Sequence, residues 1–222
     1  WTQTDLINNT VYSLAVCEGY IIASTSTNIY VSSNNGANWT QTSNTQSFGT
    51  FAVSGNKIYA GTYGGVYLSS NFGQSWTQIA LSNRSVYSLA VSGNSLFAGT
   101  EYFGVYLSTN NGNTFTQTPL NNSLITSFAI NGNNIFAGTI FGVYRSTNNG
   151  ELWTKTNFDN DVYSLAVYGN KIFAGTWYSG VFYATNNGTN WNGTELNDQY
   201  VLSIVVSGNN LFAGTDGYGV YR

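Results

Sequence analysis

Apolar residues in this chain gather into short runs, separated by breaks of Gly, Asn, Ser and Thr. One stretch shows the pattern. Val86-Tyr-Ser-Leu-Ala-Val91 is followed by the break Ser92-Gly-Asn94, and Leu96-Phe-Ala-Gly-Thr100 by the loop Glu101-Tyr-Phe-Gly104. Val105-Tyr-Leu-Ser108 comes next, then the turn Thr109-Asn-Asn-Gly112 and a last run, Phe115-Thr-Gln-Thr118. Breaks at this spacing, without a three-and-four apolar period, predict an all-β protein of short antiparallel strands. Several runs are apolar at successive positions, which suits sheets covered on both faces.

The pattern recurs along the whole chain. The residue that ends the first run falls at Val16, Val53, Val91, Ile130, Val167 and Val206, at spacings of 37, 38, 39, 37 and 39 residues. A period in this range marks one supersecondary unit used repeatedly. Six units of four strands predict a six-bladed β-propeller of four-stranded antiparallel blades, a single domain over 1–222. Its blades cover approximately 11–42, 48–79, 86–118, 125–156, 162–194, and 201–222 together with 1–4. The sixth unit stops at Val220-Tyr-Arg222, after its third strand. The chain opens on Trp1-Thr-Gln-Thr4, which matches the fourth strands Trp39-Thr-Gln-Thr42 and Trp76-Thr-Gln-Ile79. The N-terminal strand is therefore expected to complete the last blade and close the ring, leaving no bare sheet edge. The alternative is a strand-swapped assembly in which residues 1–4 pair with another molecule.

The turns between third and fourth strands share a motif. Ser32-Ser-Asn-Asn-Gly36-Ala-Asn-Trp39 recurs from Ser69 to Trp76, Ser108 to Phe115, Ser146 to Trp153 and Ala184 to Trp191. The motif resembles the Asp-box of BNR-type repeats, S-x-D-x-G-x-x-W, with Asn in place of Asp at every copy. Such boxes occur in propellers of sialidases, sortilin-type receptors, some glycoside hydrolases and photosystem assembly factors. The resemblance implies a propeller blade and leaves function open, since that family holds both enzymes and binders. The box aromatics Trp1, Trp39, Trp76, Phe115, Trp153 and Trp191 read as structural plugs over their turns.

Strand direction then sorts the loops onto two faces. The first-to-second and third-to-fourth turns share a box face, and the other connections share a loop face. Seven of the nine acids fall on the loop face: Asp5, Glu101, Asp159, Asp161, Glu195, Asp198 and Asp216, opposed there by Arg84 alone. The second-to-third strand loops on the same face carry unusual aromatics. Candidate ligand-binding residues are Tyr63, Glu101, Tyr102, Phe103, Phe141, Trp177, Tyr178, Asp216 and Tyr218, with Trp177 and Tyr178 foremost. Rings beside carboxylates and amides suit sugars, because C–H faces stack while hydroxyls bond to acceptors. The competing reading is that these rings cap the blade ends and pack on one another.

Composition narrows the chemistry. Charged residues are only 7% of the chain and there is no His, so the commonest general base and metal ligand is missing. Clustered Lys and Arg are absent too, which argues against nucleic acid as a partner. The lone Cys17 can form no intramolecular disulfide and reads as an inert strand-end residue. No apolar run spans a bilayer, so no membrane insertion is expected. With no Met, the chain reads as a processed product or an excised domain.

A sialidase-like activity would require the arginine triad known in those enzymes, and this chain holds only Arg84, Arg145 and Arg222. A neutral-sugar hydrolase needs two carboxyls converging on one bond; Glu101 and Asp216 lie in different blades, and nothing makes Asp159 and Asp161 converge. Asp159-Asn-Asp161 is also an incomplete Ca²⁺ ligand set, so neither metal nor cofactor is expected. The expectation is a non-catalytic, secreted or surface-displayed, monomeric binding module that takes a glycan or a surface protein on its loop face. The alternative is a structural or protein-interaction propeller, as part of a surface protein or assembly or as an engineered or reconstructed repeat scaffold.

Overall fold

The computed structural model describes residues 2–7, 9–42 and 48–222, without the side chains of Phe48 and Asn186. The fold is the expected one, an all-β six-bladed propeller of four-stranded antiparallel blades, with a single 3₁₀ turn at Asn186–Gly188 among the described residues. The third blade is typical, with strands Val86–Ser92, Ser95–Thr100, Val105–Ser108 and Thr116–Gln117 paired in chain order. The chain divides into two compact units, Trp1–Glu101 with Tyr106–Thr116, and Tyr102–Val105 with Gln117–Arg222.

Within each unit, neighbouring blades meet through their first strands. In the first unit Val11–Cys17 packs on Phe48–Ser54, which packs on Val86–Ser92. In the second, Ile125–Asn131 packs on Val162–Tyr168, and that strand on Val201–Ser207. Alternation along the first strand gives each side chain its neighbour. Leu89 shares one core cluster with Tyr59 and Val66 of the preceding blade, and Ala52 and Ile79 of that blade pack against the same cluster. The second strands are the most buried, with Ile22, Ile58, Leu96, Ile135 and Ile172 all sealed from solvent.

The box turns show why Asn serves there. Ser69 Oγ donates to Asn71 Oδ1 at 2.9 Å and accepts from Gly73 N at 2.9 Å, and Asn71 Oδ1 also accepts from Ser75 N at 3.0 Å. The amide adds something a carboxylate could not, because Asn71 Nδ2 donates to Ser75 Oγ at 2.9 Å. Two successive left-handed residues make the turn, such as Phe72 at φ 58° and Gly73 at φ 85°. The fifth turn has Ala184 in place of the serine and keeps the left-handed pair, Asn187 at φ 60° and Gly188 at φ 81°, within its 3₁₀ turn. The ring of Trp76 packs on the first core cluster and its Nε1 donates to Gly73 O at 2.9 Å. Trp39, Phe115, Trp153 and Trp191 are half-buried at the same register. Trp1 lies outside the described residues.

Among the described residues, 2–4 are assigned to no strand, and the last sheet has three strands, Val201–Ser207, Asn210–Thr215 and Gly219–Tyr221. The expected pairing of residues 1–4 with that sheet involves Trp1, which lies outside the described residues.

Candidate functional site

The device that builds the loop face is a β-bulge at the start of every first strand. Pairing with the second strand skips one residue between Val11 and Ser13, Phe48 and Thr50, Val86 and Ser88, Ile125 and Ser127, Val162 and Ser164, and Val201 and Ser203. The skipped residues are Tyr12, Gly49, Tyr87, Thr126, Tyr163 and Leu202. A bulge turns its extra side chain away from the ladder, and such sites commonly re-aim residues toward a ligand. Beside each bulge lies the second-to-third strand loop, tied to it by the backbone. Glu101 N donates to Ser85 O, Trp177 N to Asp161 O and Asp216 N to Tyr200 O, at 3.0–3.1 Å.

In the first unit this arrangement leaves an opening. Tyr12, Ser26, Gly49, Thr62, Tyr63, Val86 and Tyr87 line a cleft of about 560 Å³. Tyr12 is 58% exposed, Tyr63 74% and Tyr87 39%. Tyr63 and Tyr87 meet edge to face at 6.2 Å. Gly49 stands at the bulge between the two bulge tyrosines of its neighbours, so no side chain fills the middle. None of the described lining residues carries a charge.

In the second unit the same register is packed shut. Trp177 stacks on the bulge residue Tyr163 at 4.9 Å and 25°, and meets Tyr200 edge-on at 4.6 Å. Tyr178, at φ 74° and 58% exposed, leans on Tyr200 at 4.1 Å. The indole is thus occupied by its neighbours, while Tyr178 keeps a solvent-facing side.

The remaining candidates are dispersed. Tyr102, Phe103, Phe141, Asp216 and Tyr218 are exposed in their own loops, and Glu101 is half-buried. Glu101 and Asp216 belong to different compact units. Asp159 is held by Lys155 at 2.6 Å, and that hydrogen bond raises the Lys155 pKa. Asp161 is half-buried, its carbonyl receiving Trp177 N. Among the described residues no group of acids and thiols is placed to hold a metal ion. Burial pushes the Cys17 thiol pKa up, which suits an inert core thiol whose Sγ lies 3.4 Å from Gly55 O.

Sequence reading missed Tyr12, Gly49, Tyr87, Tyr163 and Tyr200. A signal existed, because Val11-Tyr12, Val86-Tyr87 and Val162-Tyr163 each place two apolar residues side by side where strand alternation requires one.

The model of the DUF6242 β-propeller domain matches residues 6–128. The chain belongs to that DUF6242 β-propeller family. Solved structures share the fold of this DUF6242 chain at low identity. The extracellular domain of BT4673 from B. thetaiotaomicron is 20% identical with a TM-score of 0.84, over 99% of this chain and 33% of that one. An ancestral GH74 enzyme is 22% identical with a TM-score of 0.76, over 95% of this chain and 36% of that one. YCF48 bound to D1 peptide is 12% identical with a TM-score of 0.75, over 96% of this chain and 76% of that one. The DUF6242 chain thus spans about a third of the length of BT4673's extracellular domain and of the GH74 enzyme. No curated protein matches it.

Proposed function

We propose that the chain is a non-catalytic binding module, secreted or displayed at a surface, that takes a glycan in the cleft of Tyr12, Gly49, Tyr63 and Tyr87. The observation that carries this reading is the row Tyr–Gly–Tyr at three consecutive bulges, which opens an uncharged, tyrosine-walled cleft. Tyrosine faces accept the C–H face of a sugar ring, and phenol and serine hydroxyls exchange hydrogen bonds with its hydroxyls. Without a carboxylate in its described lining, the cleft supplies neither the acid nor the base that glycoside hydrolysis uses. Extracellular placement agrees with the likeness to the extracellular domain of BT4673.

Gly49 gives the test. Its φ is not left-handed, and a Cβ there would meet only Gly61 O, at 4.0 Å. Gly49→Tyr therefore restores the side chain that two neighbouring repeats carry and fills the cleft without disturbing the strand. A glycan array should give a signal with the unmodified protein that disappears in Gly49→Tyr and in Tyr63→Ala, with the melting temperature kept. A signal that survives both variants would overturn the reading, as would a silent glycan array beside binding to a peptide library. The latter outcome favours the protein-interaction alternative.

A further inference from the structure

Away from the bulges, the repeat forms a second kind of cleft, where the third and fourth strands of one blade meet the box turn of the next. Two copies can be compared, one within each compact unit. The first, of about 330 Å³, is lined by Tyr20, Val31, Ser33, Thr40, Gln41 and Gln74 among others. The second, of about 530 Å³, has Arg145, Thr147, Thr154, Lys155 and Thr189 at the repeat positions of Val31, Ser33, Thr40, Gln41 and Gln74. Four positions differ together. In the first cleft Tyr20 stacks on Phe72 of the next blade at 4.6 Å and 7°. Their counterparts are Asn134 and Asn187, and Asn134 Nδ2 donates to Asn187 Oδ1 at 3.3 Å. Arg145 stands where Val31, Leu68, Leu107 and Tyr183 are neutral, and Lys155 where Gln41, Gln78, Gln117 and Asn192 are neutral. Building a blade therefore does not require a cation at either position.

The arginine is held in place without being neutralised. Its Nε and Nη2 donate to Asn134 Oδ1 at 3.0 and 2.7 Å, so a neutral amide fixes the guanidinium plane. That contact uses one side of the fork and leaves the Nη1–Nη2 edge for another acceptor. Among the described residues no carboxylate pairs with Arg145, and Glu151 in the neighbouring box turn makes no ion pair. Lys155 is taken up by Asp159 at 2.6 Å, which leaves Arg145 as the anchoring charge of the cleft. The described lining carries no acid of its own.

We infer that this cleft is a second binding site, which takes a sugar acid of the hexuronate class with its carboxylate on Arg145. The open edge of a fixed guanidinium matches a carboxylate through two parallel hydrogen bonds. The hydroxyls of Thr147 and Thr154 and the amide of Asn157 supply donors and acceptors for ring hydroxyls. The volume is in the range of small-molecule sites. A sugar acid fits better than an acidic peptide, because one available cation matches one carboxylate and the other polar groups match hydroxyls. The site is separate from the tyrosine cleft, whose lining belongs to the other compact unit.

Nuclear magnetic resonance titration of the full chain, labelled with ¹⁵N, tests this. Glucuronate should shift the Arg145 Nε–H signal and the Gly188 and Thr189 amides to saturation. Glucose and acetate each supply half of that ligand and should bind about tenfold more weakly or worse. Arg145→Leu installs the residue that the second and third blades carry there, so it should keep the folded spectrum and weaken glucuronate binding by about tenfold or more. The three ligands are compared on the unmodified chain, so that result stands whether or not the variant folds. Acetate binding as tightly as glucuronate would overturn the inference, as would shifts with a tetraglutamate peptide and none with glucuronate. Glucuronate shifts centred on Tyr63 and Tyr87, or full affinity in a folded Arg145→Leu, would overturn it too.

Discussion

The second and fifth blades use one backbone device for opposite ends. Tyr63 and Trp177 hold the same position, directly after the threonines Thr62 and Thr176. Tyr63 stands in solvent beside a cleft, while Trp177 is wedged between Tyr163 and Tyr200. What differs is the side chain at the bulge of the same blade, glycine at 49 and tyrosine at 163. A bulge supplies direction only. Whether the result is a site or a plug is set by whether a neighbouring ring occupies the space.

The comparison can be broken most severely at the loop glycines. Gly180 has φ 74°, and a Cβ there would overlap the carbonyl of Leu196. Gly180→Ala should destabilise the second unit by about 2–4 kcal/mol in chemical denaturation, through left-handed strain plus the overlap. Trp177→Ala should come next, at about 2–3 kcal/mol, because a half-buried indole with three ring contacts leaves a void. The equivalent Tyr63→Ala should change stability by less than about 0.5 kcal/mol, since that ring is mostly in water. Equal losses at the two positions would erase the distinction between plug and site.

The smallest effect belongs to Lys155. Its pKa is raised, first by the hydrogen bond to Asp159, so the contribution is present below the ordinary lysine value and is lost as pH rises through the raised one. Lys155→Met should slightly flatten the alkaline fall of the melting temperature and leave glycan binding at the tyrosine cleft unchanged. A change in binding would place Asp159 in the ligand's path.

Much of the architecture was legible in the chain. The fixed period, the Gly and Asn breaks and the β-branched runs specify strands and turns through local backbone preference, and six sheets form where those runs lie. Trp39, Trp76, Phe115, Trp153 and Trp191 are all half-buried at one register, because their placement against the turn is local. The site was less legible. Trp177 stood out as the one indole off the box register, yet its partner Tyr163 sits at a bulge and its partner Tyr200 directly precedes the first strand of the next blade. Tyr12 and Tyr87 hid inside strands, because a bulge changes the direction of a side chain and not its identity.

The sequence by itself determined the all-β class, the blade count, the turn chemistry and the sorting of loops onto two faces. Each follows from interactions between residues a few positions apart. The tertiary structure alone decided that Gly49 opens a cleft and that Trp177 is packed shut. Burial is a property of what lies across a blade interface, and chemically equivalent positions in a repeat acquire different environments only when their neighbours are placed.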